Sequence, residues 1–139
     1  MSILDQIYEK AKQNPQRVAF PEAENEKMMQ AAYETGKDGY IIPILVGDAK
    51  KLKDLSEERG YDSSVFRFVD IQEEEYKNKL IGMYVAQPGR FLKEKALARR
   101  MQDPLYYAMV MQAVEEAEVT FAGIDNTTGD VLLAGQMII

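Results

Sequence analysis

The sequence predicts an α/β fold, a three-layer α/β/α sandwich on a mainly parallel sheet. Three observations carry this. Short β-branched and aromatic runs alternate with segments of helical periodicity along the whole chain, the order expected of a parallel sheet covered by helices. The run "YIIPILVG" (40–47) is nearly all apolar, which suits a strand buried on both faces. At 139 residues, with no linker-like stretch, residues 1–139 read as one domain, long enough to bury a core without disulfides or metals.

The elements follow in order. Over 2–13, Ile3, Leu4, Ile7, Tyr8 and Ala11 form one helical stripe, and "QNPQ" (13–16) stops it, because a proline disfavours helix at the residue before it. "RVAF" (17–20) is the first strand, closed by Pro21. "EAENEKMMQAAYETG" (22–36) then reads as a helix with acidic residues in its first turn, a buried stripe of Met28, Ala31, Ala32 and Thr35, and Gly36 just past its end. The second strand centres on 42–46, with Pro43 marking a kink or an edge. Asp48 caps a helix carrying Ala49, Leu52 and Leu55, and "RGYD" (59–62) turns the chain.

"VFRFVDI" (65–71) is the third strand. The next helix places Tyr76, Leu80, Met83 and Tyr84 in register, until "AQPGR" (86–90) breaks it. "FLKEKALARRM" (91–101) reads as a further helix. "DPLYYAMVMQAVEEA" (103–117) is a stronger one, with Asp103 as N-cap, Pro104 at the first helical position, and apolar residues on most faces. "VTFAGI" (119–124) is the fourth strand, and a last apolar helix starts near Gly129.

Composition narrows the function. Net charge is −6 and the pI about 4.8, which argues against bulk nucleic-acid binding. The chain has no cysteine, hence no disulfide or thiol nucleophile, and no histidine, hence neither the usual proton shuttle nor the commonest zinc ligand. No apolar run approaches the roughly 20 residues of a membrane span, and "MSILDQIYEK" does not read as a secretion signal, so the expectation is a soluble cytoplasmic protein.

Ligands of open parallel sheets bind beyond the carboxyl ends of the strands. Two ends stand out. In "FPEAEN" (20–25), Glu22 and Glu24 repel an anion, and the simple reading is a capped helix start. In "GIDNTTGD" (123–130), Asn126, Thr127 and Thr128 offer side-chain donors and a helix starting near Gly129 offers free N–H groups, an anion site or an ordinary cap and turn. No lysine follows in P-loop spacing, and no G-x-G-x-x-G occurs, which disfavours a nucleotide-binding protein. The carboxylates of "DIQEEEY" (70–76) point in three directions and read as a solvated face rather than a metal site. Met101, Met109 and Met111 read as core fillers, and the five basic residues of 90–100 as a solvated face.

"RVAFPEAENEKMMQAA", "PILVGD" and "DPLYYAMVMQAVEEAEVTFAGIDNTTGDVLLAGQMII" together resemble the N-terminal part of the phosphate acetyltransferase/phosphate butyryltransferase family. The ordered set covers the whole chain. The resemblance implies two α/β domains with the active site between them. It also implies transfer of an acyl group, acetyl or butyryl, between coenzyme A as a substrate and inorganic phosphate, with no bound cofactor and no metal. It places phosphate at Asn126, Thr127, Thr128 and Gly129. A family arginine after that turn is replaced by Leu133, and a second falls at Gln87, three residues before Arg90, which is a possible anion contact.

No catalytic residue is assigned, because the family's catalytic serine and aspartate lie further toward the C-terminus, in members more than twice this length. The apolar end, Met137-Ile138-Ile139, matches a helix that continues into the second domain, so the expectation is an incomplete acyltransferase whose apolar C-terminus meets a second domain or self-associates. The alternative is a non-catalytic small-anion- or partner-binding domain derived from this fold, which Leu133 and the short length favour.

Overall fold

The computed structural model describes residues 2–139. Four parallel strands, β1 (Gln16–Phe20), β2 (Ile41–Gly47), β3 (Arg67–Asp70) and β4 (Val119–Thr120), form one sheet in the order β3-β2-β1-β4. The helices are α1 (Ile3–Gln13), α2 (Glu26–Lys37), α3 (Ala49–Glu58), α4 (Glu74–Val85), α5 (Glu94–Arg100), α6 (Pro104–Ala113) and α7 (Thr128–Ile138).

Strand alternation splits the core in two. Ala19, Ile44 and Val46 point to the face covered by α4, α5, α6 and α7, where Leu80, Leu97, Met101, Tyr107 and Ile138 pack. Val18, Phe20 and Leu45 point to the other face, against Met28, Met29 and Ala32 of α2, Leu52 of α3, and Phe66. This is the expected three-layer sandwich. The methionines at 101, 109 and 111 are all buried, as core fillers.

Pro43 sits inside β2, but pairing with β3 begins only at Ile44, so at the proline the strand has one neighbour and no second ladder to lose. Arg17, at the start of β1, clamps the chain entering β4. Its Nε and Nη2 donate to the Glu118 carboxylate at 3.0–3.1 Å, and Nη2 also to the Glu115 carbonyl at 2.8 Å.

Several elements differ from expectation. β4 ends at Thr120; Phe121 makes one more bond to the Ala19 carbonyl, and then the chain turns away. α2 starts at Glu26 with Asn25 as its cap, not at Glu22, and buries Met29 where Ala31 and Thr35 were expected; those two are exposed. Gly36 lies inside α2 rather than beyond it. A Cβ there would stand 2.6 Å from Cγ of Pro43, so close packing on β2 requires the glycine. On α4, Ile81 is buried and Met83 is on the surface. α6 ends at Ala113, short of residue 117, and the chain reverses through Glu115 in the left-handed region (φ 63°). Of the α1 stripe, Ile3, Leu4, Ile7 and Tyr8 are exposed, Ile3 by 77%, and Ala11 is half-buried; the Tyr8 ring meets Tyr40.

Candidate functional site

The order β3-β2-β1-β4 reverses direction at β1. The helices that follow these two strands, α2 and α7, pack on opposite faces of the sheet, and the carboxyl ends between them are where sheets of this kind place ligands. Pro21 and Glu22 follow β1. Residues 121–127 follow β4.

Glu22 is 4% exposed. One carboxylate oxygen, Oε1, accepts from the N–H groups of Gly123 (3.0 Å), Ile124 (2.8 Å) and Asp125 (3.1 Å). The other, Oε2, accepts from the Asn126 N–H (2.9 Å) and from Asn126 Nδ2 (2.7 Å). Four consecutive N–H groups can wrap one anion in this way because Gly123 takes φ +117°, a conformation open to glycine. Burial alone pushes the carboxyl up. The side-chain and backbone hydrogen bonds from Asn126, with those from Ile124 and Asp125, outweigh it and bring Glu22 down to about 2. Asn25 adds a second tie between the two strand ends, donating Nδ2 to Asp125 at 3.1 Å while its Oδ1 caps α2.

Thr127 is the N-cap of α7. Its hydroxyl accepts from the Asp130 N–H, and the Asp130 carboxylate accepts in return from the Thr127 N–H, a capping box. The expected anion turn is thus divided. Both donors of Asn126 are committed to Glu22, and the Thr127 N–H faces Asp130. The N–H groups of Thr128 and Gly129, at the first two positions of α7, are the ones that helix geometry leaves without an intrahelical acceptor.

Arg90 is not brought to this turn. Its guanidinium donates to Gln87 Oε1 (2.6 and 2.9 Å) and to the carbonyls of Ile138 (2.8 Å) and Ile139 (3.0 Å), and it lies over the Tyr84 ring. Arg90 therefore sits against residues 138 and 139, about 15 Å along α7 from the turn that carries Thr128 and Gly129. One phosphate cannot touch both. The other four basic residues of 90–100 are exposed, as are Glu73, Glu74 and Glu75.

A cavity of about 350 Å³ opens beside Glu22, lined among others by Glu24, Gly47, Asp48, Asp103, Leu105 and Asn126. Its carboxylates already have work: Asp48 and Asp103 each cap a helix. Among the described residues no group of acidic side chains is placed to hold a metal ion.

Glu22 is the residue that sequence reasoning misplaced. Its sequence signal is a Glu directly after the strand-ending proline. What the signal lacks is the pairing of β1 with β4, which brings residue 22 against residues 123–126.

The sequence model described as Phosphate acetyl/butaryl transferase matches residues 2–139. A phosphate acetyltransferase from Acetivibrio thermocellus is 29% identical over 134 residues, covering 95% of this chain and 40% of its own. One from Clostridium acetobutylicum is 28% identical over 143 residues, covering 100% and 42%. The chain therefore spans about two fifths of the length of these curated relatives. Among solved structures, a EutD phosphotransacetylase from Staphylococcus aureus superposes with a TM-score of 0.84 at 22% identity, over 98% of this chain and 41% of that one. A phosphotransacetylase from Streptococcus pyogenes gives 0.83 at 20%, over 100% and 43%.

Proposed function

Because this chain belongs to the Phosphate acetyl/butaryl transferase family, we propose that it supplies the N-terminal part of an enzyme that moves an acyl group, acetyl or butyryl, between coenzyme A and inorganic phosphate. The observation that carries this is the family match along residues 2–139. In this reaction, written toward the thioester, the coenzyme A thiol gives up its proton and its sulfur bonds to the acyl carbon, while the acyl–oxygen bond breaks and phosphate leaves with that bond's electron pair. The compartment is the cytoplasm, where a chain without cysteine forgoes nothing.

Phosphate binds at the start of α7, on the N–H groups of Thr128 and Gly129, with Asn126 and Thr127 shaping the turn. The helix dipole favours an anion there by roughly 0.3–1 kcal/mol. Three carboxylates belong to the same turn: Glu22 on the Asn126 N–H, Asp125 on the Asn25 amide and Asp130 on the Thr127 N–H. Leu133 provides no charge-assisted bond, which would contribute about 1.5–3 kcal/mol. At roughly 1.4 kcal/mol per factor of ten, that lowers affinity about ten- to a hundredfold, into the millimolar range. Leu133 lies four residues after Gly129, on the same helix face and 52% exposed. Side chains on a helix lean toward its N-terminus, so arginine at 133 extends toward the turn.

Consumption of the coenzyme A thiol by acetyl or butyryl phosphate, above the uncatalysed rate, when this chain is combined with the C-terminal part of a phosphate acetyltransferase relative, is the decisive measurement. The replacement of an arginine by Leu133 favours a second reading, a domain that binds small anions without turnover. No thiol consumption, together with saturable phosphate shifts at the Thr128 and Gly129 amides that tighten in Leu133→Arg, selects that second reading. Flat amides in both forms, with no turnover, sink both.

A further inference from the structure

We propose that Glu22 is a positioning residue, the built-in anion of a nest formed by residues 123–126, and that its negative charge holds this turn in the shape that makes Thr127 the cap of α7. Five donors from one short segment converge on a single buried carboxylate, four of them consecutive backbone N–H groups. N–H dipoles aimed at one point repel one another unless an anion sits there. Water cannot substitute fully, since a water molecule accepts fewer hydrogen bonds than a carboxylate and carries no charge.

The turn leads straight into α7. Asn126, the last residue of the nest, precedes the cap residue Thr127, and α7 goes on to bury Ala134 and Ile138 in the core. The nest therefore sets where the helix begins and how its first turn faces the crevice. Glu22 donates nothing and, with both oxygens occupied, does not meet an incoming anion. Where phosphate binds at Thr128 and Gly129, as in the reading above on which this role rests, Glu22 acts through the turn.

The nest is thus selective by its occupant: it is a carboxylate site filled from within the chain. Glu22→Ala empties it. The vacated space has the donors for a small carboxylate such as formate, which presents the same two oxygens.

The test is amide NMR on the 139-residue chain at neutral pH, titrating sodium formate against sodium chloride at equal ionic strength. In Glu22→Ala, formate is expected to shift the Gly123–Asn126 amides saturably back toward their wild-type positions, while chloride does not and the wild-type chain does not respond. A Glu22→Ala chain whose β1 and β2 amides are intact, and whose 123–126 amides ignore formate or already match wild type without it, overturns the proposal. If Glu22→Ala does not fold in either salt, the ranking of two further variants decides. Glu22→Asp keeps the charge on a shorter arm, and Glu22→Gln keeps the length without the charge. Asp closer to wild type in thermal midpoint and in the 123–126 pattern supports the proposal; Gln equal to or closer than Asp overturns it. Phosphate is titrated separately and read at Thr128 and Gly129. Flat shifts there with a formate-responsive nest remove the phosphate reading alone, and the converse removes the role of Glu22 alone.

Discussion

At Glu22, burial and hydrogen bonding oppose each other, and hydrogen bonding wins. The carboxyl falls from its ordinary 4.5 to about 2. A group whose folded value is depressed stabilises the fold above its unfolded value, and that stability is lost as pH falls toward the folded value. At roughly 1.4 kcal/mol per pH unit, the wild-type chain should lose about 3 kcal/mol from this group between pH 4.5 and 2. Urea unfolding across that window should show the loss, and Glu22→Gln, less stable at neutral pH, should lack that part of it. Equal acid sensitivity in the two chains would mean that another carboxylate governs the transition. Tyr107 is the opposite case. Its ring is buried on the α4–α7 face, its hydroxyl has no hydrogen-bond partner among the described residues, and burial pushes its ionisation upward. A buried unsatisfied hydroxyl costs about 1–3 kcal/mol. Tyr107→Phe should therefore leave the thermal midpoint unchanged or raise it, and a fall would show that the hydroxyl has a partner in solution.

Two glycines inside helices show how the same residue answers to different forces. Alanine is favoured over glycine by about 1 kcal/mol in a helix interior. At Gly82 of α4 nothing lies within 4 Å of an added Cβ, so Gly82→Ala should stabilise by about that amount. At Gly36 of α2 an added Cβ meets the Pro43 ring at 2.6 and 2.9 Å and Val65 at 3.0 Å. A proline ring cannot swing away, and overpacking costs typically 1–3 kcal/mol, so Gly36→Ala should be neutral or destabilising. Thermal or urea melts of the pair decide, and a gain at position 36 equal to that at 82 would mean that α2 shifts freely on the sheet. The capping residues Asp48 and Asp103 were legible because caps are local: one side-chain oxygen meets an N–H two or three residues on. The start of α2 was not, because Glu22 leaves the helix for a partner about a hundred residues away.

For the whole molecule the exposed apolar residues matter most. Leu132 is 62% exposed and Leu133 52%, on a helix whose other face is core, and Ile3, Leu4 and Ile7 line an uncovered stripe on α1. Contiguous apolar surface of this kind marks contact sites. The 139-residue chain should self-associate at high concentration, and Leu132→Glu with Leu133→Glu should shift it toward monomer. Sedimentation of the unaltered chain as a clean monomer, with no binding of a hydrophobic dye, would refute this.

Sequence alone determined the layers of the fold. An apolar run such as "PILVG" and a helix such as "LYYAMVMQ" can be buried in few ways, and the alternation of strand and helix then makes the sheet parallel. It also marked both halves of the candidate site, at 20–25 and 123–130, as ends of strands. Only the tertiary structure showed that these halves are one object. Strand order is a long-range choice, set by how helices pack on both faces, and no local pattern states that β4 lies beside β1. Once it does, the glutamate that read as a deterrent to anions becomes the anion that the turn is built around, and Arg90, close in spacing to a family arginine, lies instead against the backbone oxygens of Ile138 and Ile139, a helix length away from that turn.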